Sequence, residues 1–88
     1  MASKRLLKRD VNYVMGDIIE AAYINQLANP KQDPKQTEEI VEEAIVAFDE
    51  LIAKINKKDV ENKKQHFKSI ETELETKANA LVEKINKL

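Results

Sequence analysis

The chain contains no cysteine and no tryptophan, one glycine, one histidine and two prolines among its 88 residues. Without cysteine there are no disulfides, thiolate metal sites or cysteine nucleophiles. With so few glycines and prolines the backbone has few places to turn, which excludes an all-β fold and points to long helices. A membrane span needs about 18 apolar residues or more; the longest apolar run here is Ala44 to Phe48. The opening Ser3-Lys4-Arg5-Leu6-Leu7-Lys8-Arg9-Asp10 carries the charges of a signal-peptide n-region. However, Asp10, Asn12, Asp17 and Glu20 interrupt the apolar stretch that should follow. The expected location is the cytoplasm.

What remains is a mixture of 42% hydrophobic and 35% charged residues with a net charge of −1. The hydrophobic share is too high for a disordered tail. Surface scaling gives about 5,300 Å² exposed in the folded chain, against about 14,600 Å² unfolded. That allows one domain, residues 1–88, with a slim core and no deep enzyme cavity.

The first segment organises the rest. Leu7, Val11, Val14, Met15, Ile18 and Ala22 form one broad helical stripe. Leu6, Tyr13 and Ile24 fall on the opposite side, with Tyr23 and Leu27 beside them. Ser3 caps the start, and Asn29-Pro30 stops the helix near Ala28, giving residues 4–28. Gly16, in its middle, reads as neutral drift or a close helix crossing; a kink or the approach of a ligand to the backbone is the alternative.

Asp33-Pro34-Lys35-Gln36 reads as a helix start, with Asp33 as N-cap and Gln36 closing a capping box; Thr37 is an alternative cap. The second helix, residues 34–56, presents Ile40, Val41, Ala44, Ile45, Ala47, Phe48, Leu51, Ile52 and Ile55 on one face. Asn56 in the left-handed conformation and Asp59 as a cap would separate it from a third helix, residues 60–87. A single long helix from 34 to 87 is the alternative. The third stripe is Val60, Phe67, Ile70, Leu74, Ala78, Leu81, Ile85 and Leu88, with Glu73–Lys77 and Glu83–Lys87 as i,i+4 pairs. Lys54-Ile55-Asn56-Lys57 recurs as Lys84-Ile85-Asn86-Lys87, which convergence of amphipathic helices explains as well as duplication does. Three long helices joined by short loops predict an all-α, elongated, up-down-up bundle.

Little here is suited to catalysis. His66 lies at the edge of the third stripe with no Ser or Asp placed by sequence to make it a general base. No Glu-x-x-His motif exists for a carboxylate-bridged metal site. Glu38, Glu39, Glu42 and Glu43 face water and suit the positive end of their helix dipole better than a cation site. The expectation is a protein that is not an enzyme and has no cofactor and no metal.

Two surfaces remain. The up-down-up arrangement gathers Lys4, Arg5, Lys8, Arg9, Lys57, Lys58, Lys63 and Lys64 at one pole, with Lys54 and Lys68 near them. Lys4, Arg5, Lys8 and Arg9 set positive charge against a positive helix end, at a cost of a few tenths of a kcal/mol each. Solvent or a nearby Asp compensates for this cost, and an anionic partner at this pole (nucleic acid, lipid headgroups or an acidic protein) is the alternative. Nucleic acid is not favoured, because the pole lacks interleaved aromatics and has only two arginines. The back of the first helix, Leu6, Tyr13, Tyr23, Ile24 and Leu27, is the other candidate: a protein interface, most simply in a twofold homodimer.

The opening Ser3-Lys4-Arg5-x-Leu7-Lys8-Arg9-x-Val11-Asn12-Tyr13-Val14, the segment Phe48-Asp49-Glu50-Leu51-Ile52-Ala53-Lys54 and the run Val60-Glu61-Asn62-Lys63-Lys64 resemble a group of small bacterial proteins along nearly the whole chain. That group has no assigned function. The resemblance implies a free-standing bacterial protein and transfers no site residue. The combined expectation is a protein–protein interaction or structural module.

Overall fold

The computed structural model describes residues 3–88. Three helices follow one another: α1 (Lys4–Ala28), α2 (Pro34–Ile55) and α3 (Lys63–Asn86). Each packs against both others, forming an up-down-up bundle of 50 × 19 × 18 Å. Its accessible surface is 6410 Å², about a fifth above the scaling expectation. A thin rod exposes more surface than a sphere of equal mass.

The core follows the three stripes. Leu7, Val11, Met15, Ile18 and Ala22 of α1 meet Ile40, Ala44, Ala47, Leu51 and Ile55 of α2, and Ile70, Leu74, Leu81 and Ile85 of α3. Val14, Val41, Phe48, Ile52, Phe67, Ala78 and Leu88 pack partly buried around them. Ile45 departs from its expected place. It stands about half exposed on the flank of α2, because three helices close over a stripe narrower than the one its neighbours span.

The first turn forms as its chemistry dictates. The Ser3 hydroxyl accepts from the Leu6 N–H at 3.2 Å. At the far end of α1 the Asn29 N–H reaches the Asn25 carbonyl at 3.0 Å. Asp33 caps α2 by accepting from the Lys35 N–H at 3.0 Å, ahead of Pro34 in the first helical position. Thr37 is therefore not the cap. It is the one buried polar residue described, and its hydroxyl donates to Gln26 Oε1 at 2.7 Å.

The second turn corrects the sequence reading. The chain does break, but α2 ends at Ile55 and α3 begins only at Lys63. Asn56 closes α2 in right-handed geometry (φ −82°, ψ −5°). The left-handed residue is Asp59, at φ 61°, a conformation Asp tolerates better than most residues. The cap of α3 is Asn62, whose Oδ1 accepts from the Gln65 N–H at 3.1 Å. Val60 consequently lies in the loop, partly buried, rather than in the helical stripe.

Outside the core, α2 and α3 are joined by lysine–carboxylate pairs. Lys54 bonds Glu73 at 2.7 Å, Lys77 bonds Glu50 at 2.6 Å, and Lys84 bonds Glu43 at 2.6 Å. The i,i+4 pair Glu73–Lys77 is present at 3.6 Å. Among the described residues Glu83 and Lys87 form no salt bridge.

Candidate functional site

The back of α1 faces solvent. Leu6, Tyr13, Tyr23, Ile24 and Leu27 are 40%, 61%, 50%, 57% and 81% exposed, and the other large hydrophobics as exposed are Ile45, Val46 and Val82. Scattered exposed hydrophobics are ordinary; here most of them sit on one face of one helix. Three further residues complete that face. Leu6, Arg9, Tyr13, Gly16, Glu20, Tyr23 and Leu27 follow one another at alternate spacings of three and four, and all are exposed. This is the spacing of a coiled-coil seam, and sequence reading missed it. Arg9, Gly16 and Glu20 interrupt the apolar residues along it, which hides the spacing from a search for hydrophobic periodicity.

Gly16 has a specific setting on this strip. A Cβ built there meets nothing within 4 Å. A close crossing inside the bundle therefore does not account for the glycine. α1 also runs unbroken through it. Arg9 approaches Asp10 only at 3.9 Å, with both side chains more than half exposed. Such a pair contributes little and is easily exchanged.

Part of the basic pole surrounds a hollow. Lys4, Lys57, Lys58 and Lys63 line a hollow of about 170 Å³ with Asp59, Val60, His66 and Phe67. Arg5, Lys8, Arg9 and Lys64 lie outside it. Counting Lys68 and Lys54, the latter with its partner Glu73, and subtracting Asp10, Asp59 and Glu61, the pole carries six net positive charges on a chain of net −1. Among the described residues Lys4, Arg5, Lys8, Lys57, Lys58, Lys63 and Lys64 make no salt bridge, in contrast to the paired lysines of the α2–α3 seam. His66 is partly buried here. Its Nε2–H donates to the Lys54 carbonyl at 2.7 Å, and its ring lies 5.9 Å from that of Phe67. The imidazole thus satisfies a carbonyl of the last turn of α2.

A concavity of about 530 Å³ runs between α2 and α3. Val46, Ala47, Ala80 and Leu81 contribute its apolar surface, while Glu39, Glu42, Glu43, Glu50 and Lys77 contribute charges. Two of those glutamates are already engaged, Glu43 by Lys84 and Glu50 by Lys77. Among the described residues no three His, Asp or Glu side chains converge as metal ligands, and no described helix is long and apolar enough to cross a membrane.

No family model, curated protein or solved structure matches the chain.

Proposed function

We propose that this chain is a bacterial, cytoplasmic, non-enzymatic module that acts through protein–protein contact, with the back of α1 as its working surface. The observation that carries this reading is the clustering of Leu6, Tyr13, Tyr23, Ile24 and Leu27 on the one helix whose opposite face already fills the core. A helix apolar on both sides gains by covering the second. A second copy of the chain is the simplest occupant, because a twofold contact needs only one self-complementary patch. Replacing Tyr13 and Ile24 together by Glu should leave helical content unchanged and abolish self-association. An unaltered association profile contradicts the reading.

The unpaired cations around the hollow at the basic pole favour a second reading, the binding of an anionic partner there. Fluorescence anisotropy with labelled DNA and RNA at low and moderate salt tests the nucleic-acid version, which requires steeply salt-dependent binding. Absence of binding at low salt removes it.

A further inference from the structure

Resting on the reading of the α1 back as a contact surface, we infer that a second copy of this chain docks along it antiparallel. The register is set by Arg9 against the partner's Glu20 and by Tyr13 over the partner's Gly16.

The strip contains only two charged residues, Arg9 and Glu20, and they are opposite in sign. A parallel pairing would set each against its own copy, two arginines in one layer and two glutamates in another. It would also align the helix dipoles. An antiparallel pairing avoids both penalties, and two antiparallel registers engage six of the seven seam residues. In one, contacting residue numbers sum to 36: Arg9 then faces the partner's Leu27 and Glu20 faces the partner's Gly16, so neither charge has an opposite within its layer. In the other, the numbers sum to 29, and every layer from Leu6 to Tyr23 is matched, with Leu27 beyond the matched layers. Leu6 meets the partner's Tyr23, Arg9 meets the partner's Glu20, and Tyr13 meets the partner's Gly16.

Each member of that set is prepared for the role. The ring of Tyr13 is exposed, and the space above Gly16 is open to receive one. Among the described residues, Arg9 makes one salt bridge, its loose contact with Asp10. The overlap covers most of α1, about 33 Å at 1.5 Å per residue. A single helix pair is a small interface, at the low end of stable contacts. The dimer is therefore in concentration-dependent equilibrium with monomer. One flank opposes it: Asp10 lies near the partner's Asp17, two like charges across the edge of the seam.

The test is sedimentation equilibrium of the full chain at several concentrations, with circular dichroism as the folding control. Arg9→Glu and Glu20→Arg alone should each weaken self-association about tenfold or more, since each places like charges in both symmetry-related layers. Combined, they should restore the wild-type constant to within about threefold. Asp17→Lys should tighten the dimer, because it converts the opposing flank into an attraction in this register and merely brings two lysines together in the other. A combined variant no tighter than the singles, or no gain from Asp17→Lys, overturns the register. If wild-type association is lost in the Tyr13→Glu, Ile24→Glu protein but the swap fails, the surface stands and the antiparallel pairing falls. A wild-type chain that stays monomeric at every concentration removes both.

Discussion

Thr37 holds Gln26 across the α1–α2 turn. Its hydroxyl donates to Gln26 Oε1 at 2.7 Å, and the Gln26 amide donates onward to the Gln32 carbonyl at 3.1 Å. The end of one helix, the loop and the start of the next are tied by two side chains. Thr37→Val keeps the shape and removes the donor, so it should cost about 1 kcal/mol. Chemical denaturation measures the loss. An unchanged midpoint would mean that the turn is held by Asp33, Pro34 and packing alone.

Gly16 lies in a helix interior with open space around its missing side chain. Gly16→Ala should raise the stability of the monomer by about 1 kcal/mol, or about 4–8 °C in Tm for a domain of this size. The measurement belongs at low concentration, so that self-association does not contribute. A lower Tm there would show a constraint on Gly16 inside the bundle.

Asp59 bears a left-handed backbone conformation at φ 61°. Asp59→Gly should relieve it and leave the fold more stable by about 0.5–1 kcal/mol. A destabilised variant would assign the Asp59 side chain a stabilising role in the loop that outweighs the backbone strain.

Leu51 is fully buried among the three stripes. Leu51→Ala should cost about 2–5 kcal/mol through lost burial and the cavity left behind. That is a large share of the stability of a small domain. Thermal melting should show the loss, and a near-native Tm would contradict the proposed core.

The Glu50–Lys77 pair sets a pH dependence. The hydrogen bond from Lys77, and then its charge, hold the Glu50 carboxyl below its ordinary 4.5. The hydrogen bond to Glu50 holds the Lys77 ammonium above its ordinary 10.5. A lowered acid stabilises the folded state above its unfolded pKa and loses that contribution as pH falls through the folded value. A raised base contributes fully below its unfolded pKa and loses that contribution as pH climbs through the folded value. Stability from this pair is thus constant in between and declines below about pH 4.5 and above about pH 10.5. The pair is exposed, so the effect is small and shrinks with salt. Lys77→Met should flatten the acid limb of a Tm–pH curve; a limb of wild-type steepness would assign it to other carboxylates.

The elements most legible in sequence were those fixed by covalent constraint or by repeated pattern. Pro30, Asp33 and Pro34 mark the first turn whatever surrounds them, and the three stripes define the core face of each helix. The second turn was less legible because Asn56, Asp59 and Asn62 are all capping residues in one stretch of seven. Local propensity does not choose among them. In the structure Asp59 takes the left-handed backbone at φ 61° and Asn62 caps α3, which leaves Val60 in the loop. Thr37 misleads for a similar reason, since its partner lies eleven residues upstream on another helix. The lysines of α3 also find carboxylates across the helix boundary rather than only one turn away. On the candidate surface the five hydrophobics were readable from sequence. Arg9, Gly16 and Glu20 were not, because charge and glycine do not register as parts of an apolar face.

The most direct test of the account is the solution mass of the wild-type chain, by light scattering behind size exclusion over a concentration series. The expected result is a mass rising with concentration from 10.1 kDa toward twice that value. A mass that remains at the monomer value throughout contradicts self-association through α1.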